Sequence, residues 1–345
     1  NPARILTELV VITIGQAENE QGIGTMAVYS SVIDLIGDTP IVDVSVLSPS
    51  PDIRLLAKLE GQNPAGSVKD RIARAMIAEA EADGTLTPGR TIIEPSSGNT
   101  GIALAMIARI RGYLIKIVLP ENVSPERRSM LEVFGAEIIS SPGDEGSNGA
   151  VRMAQELADQ NPDWVFLYQY GNEANPRAHY EMTGPEILRD VPDITHFVAG
   201  LGTSGTLMGI GSYLKENRPE VQVLAVEPPA GEQVQGLRSL EDGFIPPVFE
   251  KWGGNDLLDG KRIVRPRESI ECARRLADRC GIFAGLSAGA ALAGSLRVAE
   301  RVASEGGEAV IVFLVSDAGW KYLSTGAWTG DIAQVTADTE STIYF

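Results

Sequence analysis

The chain has 345 residues and a formal net charge of −17, from 29 basic and 46 acidic side chains. Its 43% hydrophobic and 22% charged residues are typical of a globular protein of about two domains and exclude a mainly disordered chain. Nucleic acids and anionic membranes are excluded as partners, because so acidic a protein repels phosphate groups.

Strands and helices alternate along the chain, which predicts parallel strands with helices on both faces of a sheet. The first half predicts strands at 55–60, 91–95, 114–120, 136–141 and 164–170, and helices at 70–84, 100–112, 124–135 and 147–160. A division is expected near 171–175, where this first run ends. The second half predicts helices at 183–191, 203–217, 268–280 and 288–304, strands at 195–202, 221–228 and 309–317, and an irregular stretch at 230–265.

The sequence predicts neither a membrane span nor a metal site. No apolar run reaches the ~18–20 residues of a membrane span, and no basic stretch precedes the apolar patch at 9–14, so no signal peptide is expected. The two histidines are too few to build a Cys/His metal cluster. Cys272 and Cys280 share a predicted helix and lie about 12 Å apart, beyond disulfide reach. Reduced core cysteines suit a cytoplasmic protein.

Two polar loops of the first half carry candidate functional groups. GQNPAGSVKDR places Lys69 between a loop and a predicted helix, at the sheet edge where α/β proteins bind ligands. Taken alone, this loop is better explained by a surface lysine beside Asp70. PSSGNTG (95–101) follows a strand and opens a helix, and its hydroxyls, its amide and the free helix N–H groups favour a bound carboxylate or phosphate. Helix capping explains only part of that run of donors.

GLGTSGT (200–206) forms a third loop between a strand and a helix. Its backbone N–H groups and the hydroxyls of Thr203, Ser204 and Thr206 predict a phosphate cup without a basic residue. The stretch also fits G-x-G-x-x-G, and Glu227 ends the next strand, so a dinucleotide site is an alternative interpretation. A nucleotide P-loop is excluded, because no G-x-x-x-x-G-K-[ST] occurs.

Two further loops follow in the last third of the chain. GIFAGLSAGAALAG places Ser287 at the end of a strand-like stretch, where the hydroxyl is predicted to cap an apolar helix. VSDAGWKYLSTG follows the last buried strand. Within it, Asp317 and Lys321 are interpreted as a surface pair.

The combination of these loops resembles one known family. NPAGSVKDR, PSSGNTG, YQYGNEAN, GLGTSGT and GLSAG are similar to motifs of the cysteine synthases, pyridoxal-phosphate enzymes of the tryptophan-synthase-β fold type. The resemblance runs from about Met26 to Gly326. It is closest to the actinobacterial O-phosphoserine sulfhydrylases, through HFVAGLGTSGTLMG, GIFAGLSAG and DAGWKYLSTGA. Ser96, Glu173 and Ser204 depart from the usual motifs without removing a required functional group.

The resemblance implies an α/β architecture of two open, twisted, mostly parallel sheets flanked by helices. We predict a smaller, mobile domain at 62–171 and a larger cofactor domain formed by 26–61 plus 172–330. Met26 offers a natural start, so residues 1–25 are interpreted as an N-terminal extension whose origin the sequence leaves open. Residues 331–345 are interpreted as a frayed tail. Their apolar end, Ile343-Tyr344-Phe345, raises the alternative of a lid over the cleft.

The resemblance also implies pyridoxal 5′-phosphate as cofactor and a β-replacement that makes L-cysteine from an activated serine and a sulfur donor, through an α-aminoacrylate intermediate. Lys69 would form the Schiff base and act as the base at the substrate Cα. Asn99 would bind the cofactor 3′-oxygen and Ser287 its pyridine nitrogen. Gly202, Thr203, Ser204, Gly205 and Thr206 would bind the phosphate, and Ser96, Ser97, Thr100 and Gln169 the substrate carboxylate.

Arg238 bears on the identity of the leaving group. Taken alone, it is a surface arginine paired with Glu241 or Asp242. Aligned with the O-phosphoserine branch, it becomes a clamp that binds the substrate phosphate with two parallel hydrogen bonds. This alignment favours O-phospho-L-serine over O-acetylserine.

Three other functions stay open at this point. A nicotinamide oxidoreductase would use GLGTSG but leave Lys69 and PSSGNTG without a role. A binding protein that has lost catalysis would dock the C-terminal peptide of an acyltransferase. Cystathionine formation or serine/threonine deamination would use the same fold. The family further implies a homodimer, and the sulfur donor is left open between sulfide, thiosulfate and the thiocarboxylate of a sulfur-carrier protein.

Overall fold

The computed structural model describes residues 28–341, which form two sheets covered by helices. The strands are β1 (Ile41–Asp43), β2 (Ile53–Leu59), β3 (Thr91–Pro95), β4 (Leu114–Pro120), β5 (Glu137–Ser141), β6 (Trp164–Phe166), β7 (His196–Gly200), β8 (Gln222–Glu227), β9 (Gly260–Ile263) and β10 (Ala309–Val315). The α-helices are α1 (Lys69–Ala82), α2 (Asn99–Arg111), α3 (Pro125–Val133), α4 (Gly146–Gln160), α5 (Ala174–Ala178), α6 (Gly184–Asp190), α7 (Gly205–Asn217), α8 (Pro247–Lys251), α9 (Pro266–Cys280), α10 (Leu286–Ser304) and α11 (Ile332–Ser341).

The larger sheet has six strands in the order β1-β2-β10-β7-β8-β9, and the smaller has four in the order β5-β4-β3-β6. Every pairing is parallel except that of β1 with β2. The predicted architecture of two mostly parallel sheets flanked by helices is therefore confirmed. Because parallel strands end at one edge, the loops after β2, β7 and β10 lie at the same edge of the larger sheet, and the loop after β3 lies at the corresponding edge of the smaller sheet.

Close packing of small residues holds the helices of the larger sheet together. Helix α10 is rich in alanine and glycine, and most of it is buried against α9 and the sheet. A Cβ added at Gly289 would lie 2.0 Å from the carbonyl oxygen of Ser269, so only glycine permits this approach of α10 to α9. The start of α10, and with it Ser287, is thereby fixed in position.

Several elements differ from their predicted form. Strand β6 ends at Phe166 rather than at residue 170, because Tyr168 adopts a positive φ of 51° that no strand contains. The short strands β1 and β9 were not predicted. Cys272 is buried as expected, whereas Cys280 is only half-buried, and both thiols are free.

The tail is the largest correction. Residues Ile332–Ser341 form helix α11 rather than a frayed segment, and Val335 is buried beside Ile270 and Ala273 of α9. The alternative of a lid concerns residues 343–345, which lie outside the described residues, as does the extension at 1–25. The predicted domain boundaries stay a prediction. Among residues 28–341, none of the helices combines the length and the apolar character that a membrane crossing requires.

Candidate active site

A cleft lies where the loops at the carboxyl ends of β2, β3, β7 and β10 meet the start of α10. Most of the side chains and glycines predicted to be functional line this cleft: Lys69, Ser97, Asn99, Thr100, Gln169, Gly202, Thr203, Ser204, Thr206, Arg238 and Ser287. The sequence thus identified residues from six separate segments that the fold brings into one place.

Lys69 is the first residue of helix α1, and its amine sits among protein atoms at the cleft. Burial lowers the pKa of Lys69 to about 8, against the attraction of the carboxylates of Asp317 and Glu60. A lysine that loses its proton near pH 8 is an amine nucleophile and a base under mild conditions. The alternative of an ordinary surface lysine beside Asp70 is contradicted by the position of Lys69 in the lining of the cleft.

The loop after β3 is shaped by Ser96. Its Oγ accepts hydrogen bonds from the backbone N–H groups of Gly98 at 3.1 Å and Gly101 at 2.9 Å. Ser96 is not among the residues that line the cleft, whereas Ser97, Asn99 and Thr100 are. Its hydroxyl therefore folds the turn that presents the next residues.

Gln169 faces this loop from the turn after β6. Thr100 donates a hydrogen bond from Oγ1 to Gln169 Oε1 at 2.7 Å, so two of the predicted carboxylate ligands contact each other. The turn itself is held by Glu94, whose carboxyl accepts from the backbone N–H of Tyr168 at 2.8 Å and of Gln169 at 2.9 Å. Burial raises the pKa of Glu94 to about 8, despite these two hydrogen bonds.

The loop at 200–206 connects β7 to helix α7 and has the predicted form of an anion cup. Ser204 adopts a left-handed conformation with φ of 72°, which turns the chain into the first turn of the helix. Gly205 begins α7. The Oγ of Ser204 is buried and has no hydrogen-bond partner within the described part of the chain.

Two polar residues that the sequence analysis missed support the cup. His179 Nε2 lies 3.1 Å from Thr206 Oγ1, and its Nδ1 lies 2.9 Å from Thr183 Oγ1. Burial, followed by the charges of Arg71 and Lys69, holds the pKa of His179 well below its usual range, so the ring is neutral. Asn175 donates from Nδ2 to the carbonyl of Gln169 and to Thr203 Oγ1, which ties the cup to the turn after β6.

The acid of the dinucleotide alternative is used elsewhere. The carboxylate of Glu227 accepts from the backbone N–H of Leu240 at 3.0 Å and pairs with Lys261 at 3.4 Å. Glu227 does not line the cleft. These contacts give Glu227 a structural role and leave the glycine loop without the acid that a dinucleotide ribose requires.

Ser287 lies in the first turn of α10, but the residue that caps this helix is Gly285. The prediction that Ser287 acts as the cap is therefore wrong. Ser287 instead lines the cleft beside Gly236. A Cβ added at Gly236 would lie 3.8 Å from the Ser287 Oγ.

Arg238 lies on the wall of the cleft, next to the anion cup. Its backbone N–H donates to the carbonyl of Leu201 at 2.8 Å. The guanidinium carbon lies 4.6 Å from the ring centroid of Phe244 and 5.1 Å from that of Tyr170. Across residues 28–341 no carboxylate forms an ion pair with Arg238, so the alternative of pairing with Glu241 or Asp242 is wrong.

Asp317 and Lys321 are buried, so the prediction of a surface pair is wrong. Lys321 is 0% and Asp317 is 1% exposed. Lys321 donates from Nζ to Asn99 Oδ1 at 2.7 Å, and Asp317 Oδ2 accepts from Asn99 Nδ2 at 2.7 Å and from the Tyr322 hydroxyl at 2.5 Å. Burial lowers the pKa of Lys321 to about 8 and raises that of Tyr322.

The donor set fits pyridoxal phosphate. One cleft is lined by a nucleophilic amine, by an anion cup at the N-terminus of α7 and by a hydroxyl in the first turn of α10. The unpartnered Ser204 Oγ is a buried polar group of the kind that a bound phosphate satisfies. The cup contains no lysine or arginine, so backbone N–H groups and hydroxyls supply its positive potential.

Comparison with known proteins gives consistent results. The sequence profile of the family described as "Pyridoxal-phosphate dependent enzyme" matches residues 32–317. Cysteine synthase B of Escherichia coli is 41% identical over 300 residues, which cover 87% of this chain and 96% of the relative. A crystal structure of O-ureido-L-serine synthase has a TM-score of 0.82 and 39% identity, covering 90% of this chain and 100% of that one. The O-acetyl serine sulfhydrylase isoform 3 of Entamoeba histolytica has a TM-score of 0.80 and 32% identity, covering 93% and 99%.

Proposed function

The chain belongs to the family of pyridoxal-phosphate dependent enzymes, and from this premise we propose that it is a cysteine synthase acting on O-phospho-L-serine. The observation that carries the proposal is the position of Lys69, whose buried amine shares one cleft with the anion cup and with the loop after β3. Such a cleft holds a phosphorylated cofactor and an amino-acid substrate side by side.

The residues that would hold the cofactor come from four segments. Lys69 would bind the aldehyde carbon of the cofactor, and the cup at 202–206 would bind the phosphate. Asn99 would contact the ring oxygen, and Ser287 would contact the ring nitrogen. The bound cofactor supplies an electron sink for the negative charge that develops at the substrate Cα. Ser287 is a neutral hydroxyl, which does not hold a proton on the ring nitrogen as a carboxylate would. The resulting weaker sink suits loss of a β-substituent.

Lys69 also moves the proton at the substrate Cα. With the substrate bound, the Nζ of Lys69 would remove that proton and would return it after the sulfur has been added. A pKa of about 8 suits this task, because a base works best when its pKa lies near the working pH. A positioned base of this kind contributes about 10²- to 10⁴-fold to the rate.

The substrate carboxylate would bind at the start of α2. Ser97 and Gln169 present a hydroxyl and an amide donor there, and Thr100 donates its hydroxyl proton to Gln169 Oε1 and so orients that amide. The N-terminus of this 13-residue helix adds free N–H groups and a favourable dipole. The Thr100–Gln169 hydrogen bond fixes both side chains before the substrate arrives. Ser96 would act through the shape of the turn.

The preference for O-phospho-L-serine rests on Arg238. Its guanidinium packs against two aromatic rings at the cleft, and no carboxylate among the described residues neutralises it. A guanidinium in this state binds a phosphate group with two parallel hydrogen bonds. O-acetylserine, the activated serine in the name of the Entamoeba relative, is the competing substrate and offers no charge for Arg238 to bind.

The test compares both substrates at matched concentration in the wild-type enzyme and in Arg238→Ala. We expect the variant to lose about 10- to 150-fold in kcat/KM with O-phospho-L-serine, which corresponds to ~1.5–3 kcal/mol for a charged hydrogen bond, and to change little with O-acetylserine. Arg238→Lys should fall in between, since a lysine keeps the charge but not the paired geometry. Arg267→Ala removes an equal charge from the exposed surface of α9 and serves as the control.

Equal losses on both substrates, or a wild-type enzyme that prefers O-acetylserine, would contradict the proposed substrate. A protein of similar fold is named O-ureido-L-serine synthase, so the nucleophile used by this chain has to be assayed directly. Sulfide, thiosulfate and a protein thiocarboxylate are the donors to compare. The homodimer, the cytoplasmic location and the docking of an acyltransferase peptide stay predictions.

A further inference from the structure

The amide of Asn99 is held between two buried charged side chains that the reaction described above does not use. Lys321 donates a hydrogen bond from Nζ to Asn99 Oδ1 at 2.7 Å. On the other side of the same amide, Asn99 Nδ2 donates to Asp317 Oδ2 at 2.7 Å. Asn99 itself lines the cleft, whereas Lys321 and Asp317 lie behind it.

This arrangement fixes the orientation of the amide. An ammonium group only donates hydrogen bonds and a carboxylate only accepts them. If the Asn99 amide were rotated by half a turn, its NH₂ group would face the Lys321 ammonium and its oxygen would face the Asp317 carboxylate. Both contacts would be repulsive. Only one orientation is therefore compatible with the two neighbours, and it leaves a second N–H of Nδ2 to donate elsewhere.

The two charged residues are themselves held in place. Lys321 also donates to the carbonyl oxygen of Gly66 at 2.9 Å, in the loop that leads to Lys69. Asp317 Oδ2 accepts from the Tyr322 hydroxyl at 2.5 Å. The charged groups that face Lys321 are Asp317 and Asp70, which favour its protonated form, and Arg127 and Lys69, which oppose it. The amide is thus clamped by a network that reaches three segments of the cleft.

Stability does not account for the presence of Lys321. Burying an ammonium group is costly, and buried lysines are normally paired directly with a carboxylate. Lys58, which is equally buried, contacts Glu186 at 2.7 Å. Among the described residues, no carboxylate lies within ion-pair distance of Lys321, whose closest contact is the neutral amide of Asn99. The protein therefore places a costly charge where its direct contact is with a residue of the cleft.

We propose that Lys321 and Asp317 are positioning residues that orient the Asn99 amide so that its remaining N–H points to the ring oxygen of the bound cofactor and stabilises that oxygen in its ionised form. The proposal rests on the function proposed above, since Asn99 acts on a bound cofactor. Lys321 acts through Asn99 and touches neither substrate nor cofactor. A hydrogen bond donated to an ionised oxygen, and a cation behind the donor, both lower the pH at which that oxygen loses its proton.

The visible absorbance of the bound cofactor, recorded against pH in the purified holoenzyme, tests this inference. In Lys321→Met we expect the pH of the spectral transition to rise by about one unit, the size expected for the loss of one hydrogen bond. Cofactor content, measured after release in alkali, should stay at wild-type level. We also expect kcat to fall about tenfold with KM unchanged, the pattern of an interaction made only in the transition state. Lys321→Arg, which keeps the cation and its donors, should restore the wild-type transition.

Three comparisons separate positioning from a structural role. In an Asn99→Ala background, Lys321→Met should shift the transition less than it does in the wild type; equal shifts would show that Lys321 acts without Asn99 and would overturn the proposal. Lys58→Met removes a buried cation outside the cleft and should leave the transition unchanged; a similar shift there would also overturn it. If Lys321→Met does not fold, Lys321→Gln carries the same test, because it removes the charge at similar length.

An unchanged transition in the folded Lys321 variants likewise overturns the inference. This result is distinguishable from failure of the proposed function. The spectral transition and the cofactor content are measured without substrate, so they report on Asn99 even if the enzyme forms no cysteine. Conversely, cysteine formation with an unshifted spectrum would leave the function intact and remove Lys321 from its proposed role.

Discussion

Two clusters of charged and polar side chains flank the start of helix α1, and they differ in how completely their charges are paired. The paired cluster consists of Lys58, Glu60, Arg71 and Glu186. The open cluster consists of Lys69, Asp317, Lys321 and Tyr322. Lys69 and Arg71 are two residues apart on the same helix, yet one belongs to the cleft and the other to the interior.

In the paired cluster every charge has an opposite charge at hydrogen-bond distance. Arg71 contacts Glu60 at 2.7 Å and Glu186 at 2.6 Å, and Lys58 contacts Glu186 at 2.7 Å. Although burial works in the opposite direction, the hydrogen bonds and charges of Arg71 and Lys58 lower the pKa of Glu186 to about 2. Glu186 therefore stays ionised throughout the neutral range. The ion pairs of the cluster join β2, α1 and α6.

In the open cluster the cations lack such partners. Burial lowers the pKa of both Lys69 and Lys321 to about 8. The attraction of Asp317 works in the opposite direction but is too weak to offset burial, since Asp317 forms an ion pair with neither lysine. The comparison shows that complete pairing holds three elements together through ion pairs, whereas incomplete pairing lowers the pKa of an amine toward neutral pH. Under the proposed function, the reaction takes place beside the cluster whose charges lack close partners.

The largest expected effect lies at the open cluster. Under the proposed function, Lys69→Ala removes both the amine that would hold the cofactor and the base that would act at the substrate Cα. We expect β-replacement to fall by at least about 10⁴-fold, the upper end of the range for a positioned base. A steady-state assay with O-phospho-L-serine and sulfide measures this loss. Circular dichroism should show an unchanged fold. A loss of turnover much smaller than about 10⁴-fold would contradict the role proposed for Lys69.

The next largest effect concerns the paired cluster. Glu186→Ala leaves Lys58 and much of Arg71 buried without their carboxylate, and we expect the free energy of unfolding to fall by about 3–5 kcal/mol. Denaturant unfolding of the cofactor-free protein measures it. The exposed pair of Arg54 and Asp193 provides the control, since Asp193→Ala should cost no more than about 1 kcal/mol. Equal costs for the two substitutions would erase the distinction between the clusters.

A smaller effect concerns alkaline pH. Lys69 and Lys321 have a folded pKa of about 8, below the 10.5 of an unperturbed lysine, so between pH 8 and 10 the unfolded chain binds more protons than the folded one. The unfolding free energy of the cofactor-free protein should therefore rise with pH in this window, by up to about 1.4 kcal/mol per pH unit for each lysine. Glu94 has a raised pKa of about 8, so its titration changes the unfolding free energy below this pH window.

The raised pKa of Tyr322 opposes this trend only at higher pH, because unfolding then releases a proton that the folded state retains. Denaturant unfolding at pH 8, 9 and 10 measures the slope, and Lys321→Met should reduce it by about half. A flat or falling slope in the wild type would mean that the two amines are as well compensated as those of the paired cluster.

The sequence was most informative where glycine-rich loops follow strands. Lys69, Asn99 and the cup at 202–206 could be placed in one cleft, because parallel strands bring such loops to one edge. The strands of both sheets were largely predicted for the same reason, as buried apolar runs between turns. Short edge strands such as β1 and β9 contain too few residues to give a periodic signal.

The buried charges could not be predicted. Asp317 and Lys321 have the composition of a surface pair, but the segment after β10 packs against α3, and both side chains contact Asn99 at the start of α2. His179 gave no signal either, since its contact with Thr206 joins residues that are 27 apart in sequence. Helix α11 was missed because its polar composition hides the apolar residues, such as Val335, that dock it on α9.

One measurement tests the contrast between the clusters most directly. It compares the unfolding free energies at pH 7 of cofactor-free wild type, Lys69→Met and Lys58→Met. Methionine removes the charge at similar length in both variants. Lys69→Met should be more stable than wild type by about 1–3 kcal/mol, because the protein no longer buries an under-compensated ammonium. Lys58→Met should be less stable by about 3 kcal/mol, because Glu186 loses a buried partner. Destabilisation of both variants by similar amounts would contradict the account.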